Sequence, residues 1–304
     1  MFQDLLSATS IDDLDSKAGQ YWLDMSPPTD ARPFFFNQLR VSNLQNLRSF
    51  ADEYGRTGSF TLGESLVVAG NVLAIGTLFL LILLSLLAVV LTVILPARSS
   101  VNRVEPRFAA LGSIYFLLIG LGFMFIEIGL IQRMSVFMGH PVYALSIVLF
   151  SIILSTGLGS LLSGKFVPSR PREIILWLGL LVLYLLFLPY WLPVVTHSFE
   201  SSVLLNRAAV CVAVILPAGS LMGFGFPIGM RLATAVDARA TPWFWGVNGA
   251  AGVLAAGLAV ACSIGASIDT TVRVGAICYL LLVPIAILLL PHPGTPESKI
   301  LIGT

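Results

Sequence analysis

Seven stretches of roughly twenty apolar residues recur along this chain, and they constrain its fold more than any other feature, because a bilayer core about 30 Å thick is crossed by that length of helix. They run from Leu66 to Leu95, Phe108 to Gln132, Pro141 to Gly164, Ile174 to Val195, Val203 to Met230, Phe244 to Ile264 and Thr271 to Leu290. None shows the short alternation of barrel strands. Irregular backbone facing lipid would leave its polar groups unpaired, so helices are required. The expectation is an all-α polytopic membrane bundle of about seven helices.

Composition agrees. Of 304 residues, 57% are hydrophobic and only 11% charged, against about 25% charged in ordinary water-soluble domains. With 17 Lys+Arg against 16 Asp+Glu, no basic surplus exists to hold a phosphate backbone, so nucleic acid is not an expected partner. The expected partner is the lipid bilayer. Cys211, Cys262 and Cys278 sit in apolar runs and read as small hydrophobes, without a disulfide or metal pattern.

The chain divides into a polar amino-terminal tail (1–62), the bundle (63–291) and a short carboxy-terminal tail (292–304). Asp12, Asp13, Asp15, Lys17 and Asp24 mark the first tail, and Pro27-Pro28 an extended break. No basic segment followed by an apolar one marks a signal peptide. From Ser42 an amphipathic helix is expected on the membrane surface, with Leu44, Leu47, Ala51 and Tyr54 on one stripe and Phe34, Phe35 and Phe36 as interfacial anchors. Arg98, Arg103, Arg107, Lys165, Arg170, Arg172, Arg231, Arg239 and Lys299 fall on one side of the alternating topology, and Arg48, Arg56, Arg133, Arg207 and Arg273 on the other. The positive-inside rule then predicts a cytoplasmic carboxy terminus and an external amino terminus.

Within the spans, Glu127 is the clearest ionisable group, and a lipid-facing carboxylate there would cost several kcal/mol. It should face the bundle, with Arg133, His140, Arg207, Asp269 and Arg273 toward the same membrane face; Arg207 or Arg273 is the expected partner. Such a pair reads either as a proton or substrate relay or as a structural ion pair fixing helix register. His140, before Pro141, reads as a loop cap. In the fifth span, Pro217 and Pro227 remove backbone donors while Gly223 and Gly225 loosen the ladder. That combination gives either a broken helix aiming backbone groups at a solute or a kinked helix whose glycines admit a neighbour. Ser151, Ser155, Gly159 and Ser163 form a four-residue-spaced packing ridge, and Asn248 is expected to make an interhelical hydrogen bond. Trp243 and Trp245 should sit at headgroup level. No phosphate-binding loop, zinc-protease motif, nucleophile elbow or dinucleotide fingerprint occurs, so no catalytic residue, cofactor or metal site is assigned.

Five ordered strings resemble one family. They are Pro28-Thr29-Asp30-Ala31-Arg32-Pro33-Phe34-Phe35-Phe36, Gly120 to Ile128 continuing through Gln132-Arg133, Gly139 to Ser146, Gly223 to Arg231, and Trp245 to Ala251. Together they are similar to the carboxy-terminal membrane part of large bacterial proteins in which a spermidine-synthase-like, methyltransferase-fold domain is fused to transmembrane helices. The resemblance covers most of the chain from Pro27 onward. One departure is Ala31, where that family's string usually carries a second acidic residue. The resemblance implies a bacterial cytoplasmic membrane and a membrane module that anchors or partners a transferase-like domain or subunit. The Gly-rich loop and acidic residues of aminopropyl transfer would belong to that domain, which this sequence does not contain, so the chain is not expected to be catalytic alone. A cytosolic cofactor would also favour an internal amino terminus, against the charge count. The rival expectation is a small-solute transporter, for an amine or its products, with Glu127 as the cation-binding carboxylate.

Overall fold

The computed structural model describes residues 7–19, 27–34, 62–95, 104–165 and 170–290. Among the described residues nine α-helices follow in order: α1 (Ile11–Gly19), α2 (Leu62–Val89), α3 (Pro106–Met138), α4 (Pro141–Ser163), α5 (Pro171–Phe199), α6 (Leu204–Gly223), α7 (Gly225–Asp237), α8 (Thr241–Gly265) and α9 (Ile268–Leu288). The one β feature among the described residues is an isolated bridge between Thr29 and Arg32. The all-α class and the membrane-spanning character both hold. Among the described residues six stretches are long and apolar enough to cross a bilayer, and the one from Leu204 to Gly265, of 62 residues, is long enough for two passes. It is interrupted by the short 3-10 helix Ala238–Ala240. Six to seven candidate crossings result, in the places the apolar runs predict. The expected helix after Ser42, Phe35, Phe36 and the carboxy-terminal tail lie outside the described residues.

Local sequence sets the helix ends. Pro106, Pro141, Pro171 and Pro242 each occupy a first turn, where the missing N–H costs nothing. Gly139 ends α3 in the left-handed region at φ 72°, which only glycine adopts without strain. His140 caps α4, its Nδ1 accepting the Val142 N–H at 3.3 Å, as the loop-cap reading predicts. Ser267 caps α9 by accepting the Thr270 N–H at 3.0 Å.

Side-chain contacts fix the helix directions. Trp243 Nε1 donates to Ser113 Oγ at 2.6 Å and Ser263 Oγ to Gln132 Oε1 at 2.6 Å, so α8 runs parallel to α3. Cys211 meets Met134 near one end, and Tyr115 meets Gly225 deeper in, so α6 and α7 run antiparallel to α3. α3 is therefore the central rod, and α8, α9, α4, α6 and α7 all pack on it. At about 50 Å it outreaches the hydrocarbon layer. Its ring contacts anchor the core: Phe116 stacks on Phe244 at 5.3 Å and meets Phe226 edge-on at 5.5 Å.

α2 is peripheral. It packs chiefly on α8, with Ile82 against Gly257, and most of its apolar surface faces outward, as a lipid-facing helix requires.

Candidate functional site

The polar groups of the bundle fall into three regions, all organised around α3. The first is the α6–α7 break. The residue outside helix is Phe224 alone, and its carbonyl still accepts the Ile228 N–H at 3.1 Å. Pro217 lies inside α6 and Pro227 in the first turn of α7, so neither ends a helix. The break is narrower than the two prolines and the paired glycines suggest. Three ring donors from neighbouring helices engage carbonyls along it: Tyr184 Oη donates to Val214 O at 2.7 Å, Trp177 Nε1 to Leu221 O at 2.9 Å, and Tyr115 Oη to Gly225 O at 3.0 Å.

The glycines of this segment serve packing. A Cβ at Gly223 would run into the Thr156 carbonyl, one at Gly219 into Ser155 Oγ, and one at Gly159 into the Ser220 carbonyl. Ser151, Ser155, Gly159 and Ser163 are all buried, so the ridge of α4 is the face that meets α6. Backbones this close gain dispersion contacts, which drive helix association where lipid is as apolar as the side chains. The kinked-helix reading fits this geometry.

The second region lies at the end of the bundle where α8 meets α9. Arg133 is 6% exposed, and its Nη1 stands 3.9 Å from Asp269 Oδ1 without forming a hydrogen bond. Beside it, Ser263 joins Gln132 to Thr271, whose Oγ1 lies 2.7 Å away. The Pro28–Arg32 turn docks here. Arg32 Nε donates to Ala266 O at 2.6 Å, and the Ile268 N–H donates to Ala31 O at 3.0 Å. Nothing in the local sequence of Arg32 names Ala266, 234 residues away, as its acceptor.

The expected partners of Glu127 are engaged elsewhere. Arg207 Nη1 donates to Phe137 O and Met138 O at 3.3 and 3.2 Å, capping the carboxy-terminal end of α3. The Arg273 guanidinium stands 5.7 Å from the centre of the Tyr190 ring, a cation–π contact. With Arg133 beside Asp269, the predicted pairing of Glu127 with a basic residue is not formed among the described residues. Arg207 meets α3 ten and eleven residues beyond Glu127, about 15 Å along the axis, and each guanidinium finds oxygens or a ring nearer its own helix end.

Glu127 itself forms the third region. It is 9% exposed, with no hydrogen bond or ion pair among the described residues. Asn248 gives the second correction. Its Oδ1 is buried without a hydrogen-bond partner, so the expected interhelical bond from that oxygen is missing. Gly120 explains why Asn248 sits there: a Cβ at Gly120 would lie 2.6 Å from Asn248 O and 3.3 Å from its Oδ1. Trp243, expected at headgroup level, is tied to Ser113, while Trp245 is 58% exposed and meets Phe226 edge-on at 4.6 Å.

All three cysteines are free thiols, and among the described residues no cluster of three His, Cys, Asp or Glu side chains could hold a metal ion. Comparison with family models, curated proteins and solved structures finds no match to this chain. The class defined by fold and side chains is a multi-pass helical membrane protein.

Proposed function

We propose that this chain is a membrane module that anchors or partners a transferase-like domain of the methyltransferase fold, the domain being supplied outside this sequence. The observation that carries the reading is the docked turn. Pro28–Arg32, the start of the first of the five strings that resemble spermidine-synthase-like fusion proteins, is bonded at Ala31 and Arg32 to the link between α8 and α9. A segment held there couples whatever lies on the amino-terminal side to the bundle. Two charge-assisted or backbone bonds, each contributing about 1 kcal/mol, suffice to fix its direction without making it part of the core.

The bundle's interior is consistent with a supporting role. Ring donors engage the carbonyls near the α6–α7 break, Arg207 and Arg231 cap the ends of α3 and α4, and glycines set the α4–α6 spacing. A small-solute carrier built on backbone groups freed at the break has less to use.

The test is purification of the chain from its native membrane in mild detergent. A methyltransferase-fold protein recovered in stoichiometric amount, and recovered in smaller amount when Arg32 is replaced by Ala, supports the reading. Recovery of the chain without one overturns it.

A further inference from the structure

The two ends of the bundle hold their cations differently. Arg231 Nη1 donates to Ser163 O at 2.7 Å, which brings the end of α4 beside α7. The bonds from Trp177 to Leu221 O and from Tyr184 to Val214 O make α5 antiparallel to α6, so α5 starts at that same end. The Trp243–Ser113 bond adds the starts of α3 and α8. Among its described residues this end carries the cations Arg107, Lys165, Arg170, Arg172, Arg231 and Arg239, all exposed except half-buried Arg231.

Its carboxylates are fewer and partly taken. Asp237 is held by Arg239, whose Nη2 lies 2.6 Å from Oδ2, and Glu173 accepts the Arg170 N–H at 3.2 Å, which leaves exposed Glu105. Apart from Arg239, none of these cations forms an ion pair with a described residue. At the opposite end Arg32, Arg133, Arg207 and Arg273 each stand against a carbonyl, a carboxylate or a ring. Uncommitted positive charge is therefore concentrated at one end.

Depth narrows the choice of partner. Arg107 opens the span of α3, Lys165 follows that of α4 by two residues, and Arg172 lies in the first turn of α5. Each is within about one helical turn of a membrane-length apolar segment, the level at which lipid headgroups lie. Trp245, 58% exposed near the start of α8, suits the same level, where amphipathic rings are favoured. Long basic side chains at that depth reach lipid phosphates before they reach a protein docked above them.

We infer that this end of the bundle is a binding surface for anionic phospholipid headgroups, with Lys165, Arg170 and Arg172 supplying the principal contacts. Lysine offers a phosphate ester a compact charge, and arginine a two-pronged hydrogen bond. A zwitterionic headgroup carries its own cation and gains less from the same surface. The assignment is independent of an anchored transferase domain, because the charge belongs to this chain and the acceptor to the bilayer.

The full chain is placed in nanodiscs of equal phosphatidylglycerol and phosphatidylcholine, and the lipids retained on release are counted by native mass spectrometry. Phosphatidylglycerol should be enriched about fivefold or more at low salt, the factor that one cation near an anionic surface supplies, and the ratio should fall toward one at high salt. Replacing the three exposed cations together (Lys165→Gln, Arg170→Gln, Arg172→Gln) should remove most of the enrichment, while Arg273→Gln at the other end should leave it unchanged. Equal retention of the two lipids, a ratio unaltered by the triple replacement, or an equal fall with Arg273→Gln overturns the assignment. The wild-type chain gives a second readout: phosphatidylglycerol should raise its unfolding temperature in detergent, and inorganic phosphate at the same concentration should not. An equal rise with inorganic phosphate would sink the lipid assignment in favour of a site for the free anion.

Discussion

Arg32 Nε donates to the carbonyl oxygen of Ala266 across 2.6 Å, tying the amino-terminal turn to the last residues before α9. The adjacent bond from Ile268 N–H to Ala31 O makes the attachment two-pronged. Because one prong is backbone, a side-chain substitution should loosen the turn without releasing it altogether.

Arg32→Ala should therefore raise hydrogen exchange at residues 29–32 and at the Ile268 amide while leaving the centres of α3 and α9 protected. A loss of about 1 kcal/mol in local stability is expected for one hydrogen bond at an exposed position. Unchanged exchange at Ile268 would show that the side chain contributes nothing to docking.

Two glycines two residues apart on α4 should respond in opposite ways. At Gly159 a methyl group would meet the Ser220 backbone, which cannot swing aside, so Gly159→Ala should cost about 1 to 3 kcal/mol. Gly157 has nothing within 4 Å of an added Cβ, so Gly157→Ala should be neutral or stabilise by up to about 1 kcal/mol through helix propensity. Equilibrium unfolding in detergent decides; equal effects would contradict the close α4–α6 contact.

Trp177→Phe keeps an aromatic ring but removes the donor to Leu221 O. A loss of about 1 kcal/mol in unfolding free energy is expected, more if the carbonyl finds no substitute. The companion Tyr184→Phe, at Val214 O, should behave alike, and the two should add, because the bonds lie about two helical turns apart on α6. Strong coupling between them would indicate that the break moves as a unit.

Outside the apolar spans, Asp13 sits in the first turn of α1, where its Oδ2 accepts the Thr9 N–H at 3.0 Å and lies 3.2 Å from Lys17 Nζ. The Thr9 backbone bond first, and Lys17 next, hold its pKa below the ordinary value of 3.8. A carboxyl group depressed in the folded state stabilises α1 above that ordinary value, and the contribution is lost as pH falls through the lowered one. An NMR titration should give Asp13 a midpoint below 3.8, and Asp13→Asn should remove the acid dependence of α1 helicity. A midpoint at or above the ordinary value would refute the capping contacts.

Much of the candidate site was legible as chemistry before its geometry was known. Glu127 stood out because a carboxylate within an apolar run is costly, and its burial in the bundle follows from that cost. The ridge of Ser151, Ser155, Gly159 and Ser163 was legible because four-residue spacing puts small side chains on one face. The Arg133–Asp269 approach, the Arg32–Ala266 bond and the ring donors of Tyr115, Trp177 and Tyr184 were not. Asp269 in the first turn of α9 was the one local hint, as an acid at a helix amino terminus near a basic helix end.

Sequence by itself determined where the described residues form helices long and apolar enough to cross lipid, since twenty apolar residues leave no alternative to a helix of bilayer length. It also determined several helix ends, through prolines in four first turns and a glycine at a left-handed stop. Tertiary structure alone decided which faces meet. Depth in a membrane is read from position along a helix, but pairing depends on the rotation of each helix about its axis and on which neighbour lies at that angle. That is why Arg273 meets the Tyr190 ring and Arg207 the end of α3 rather than Glu127, and why Asn248 Oδ1 is left without a partner among the described residues.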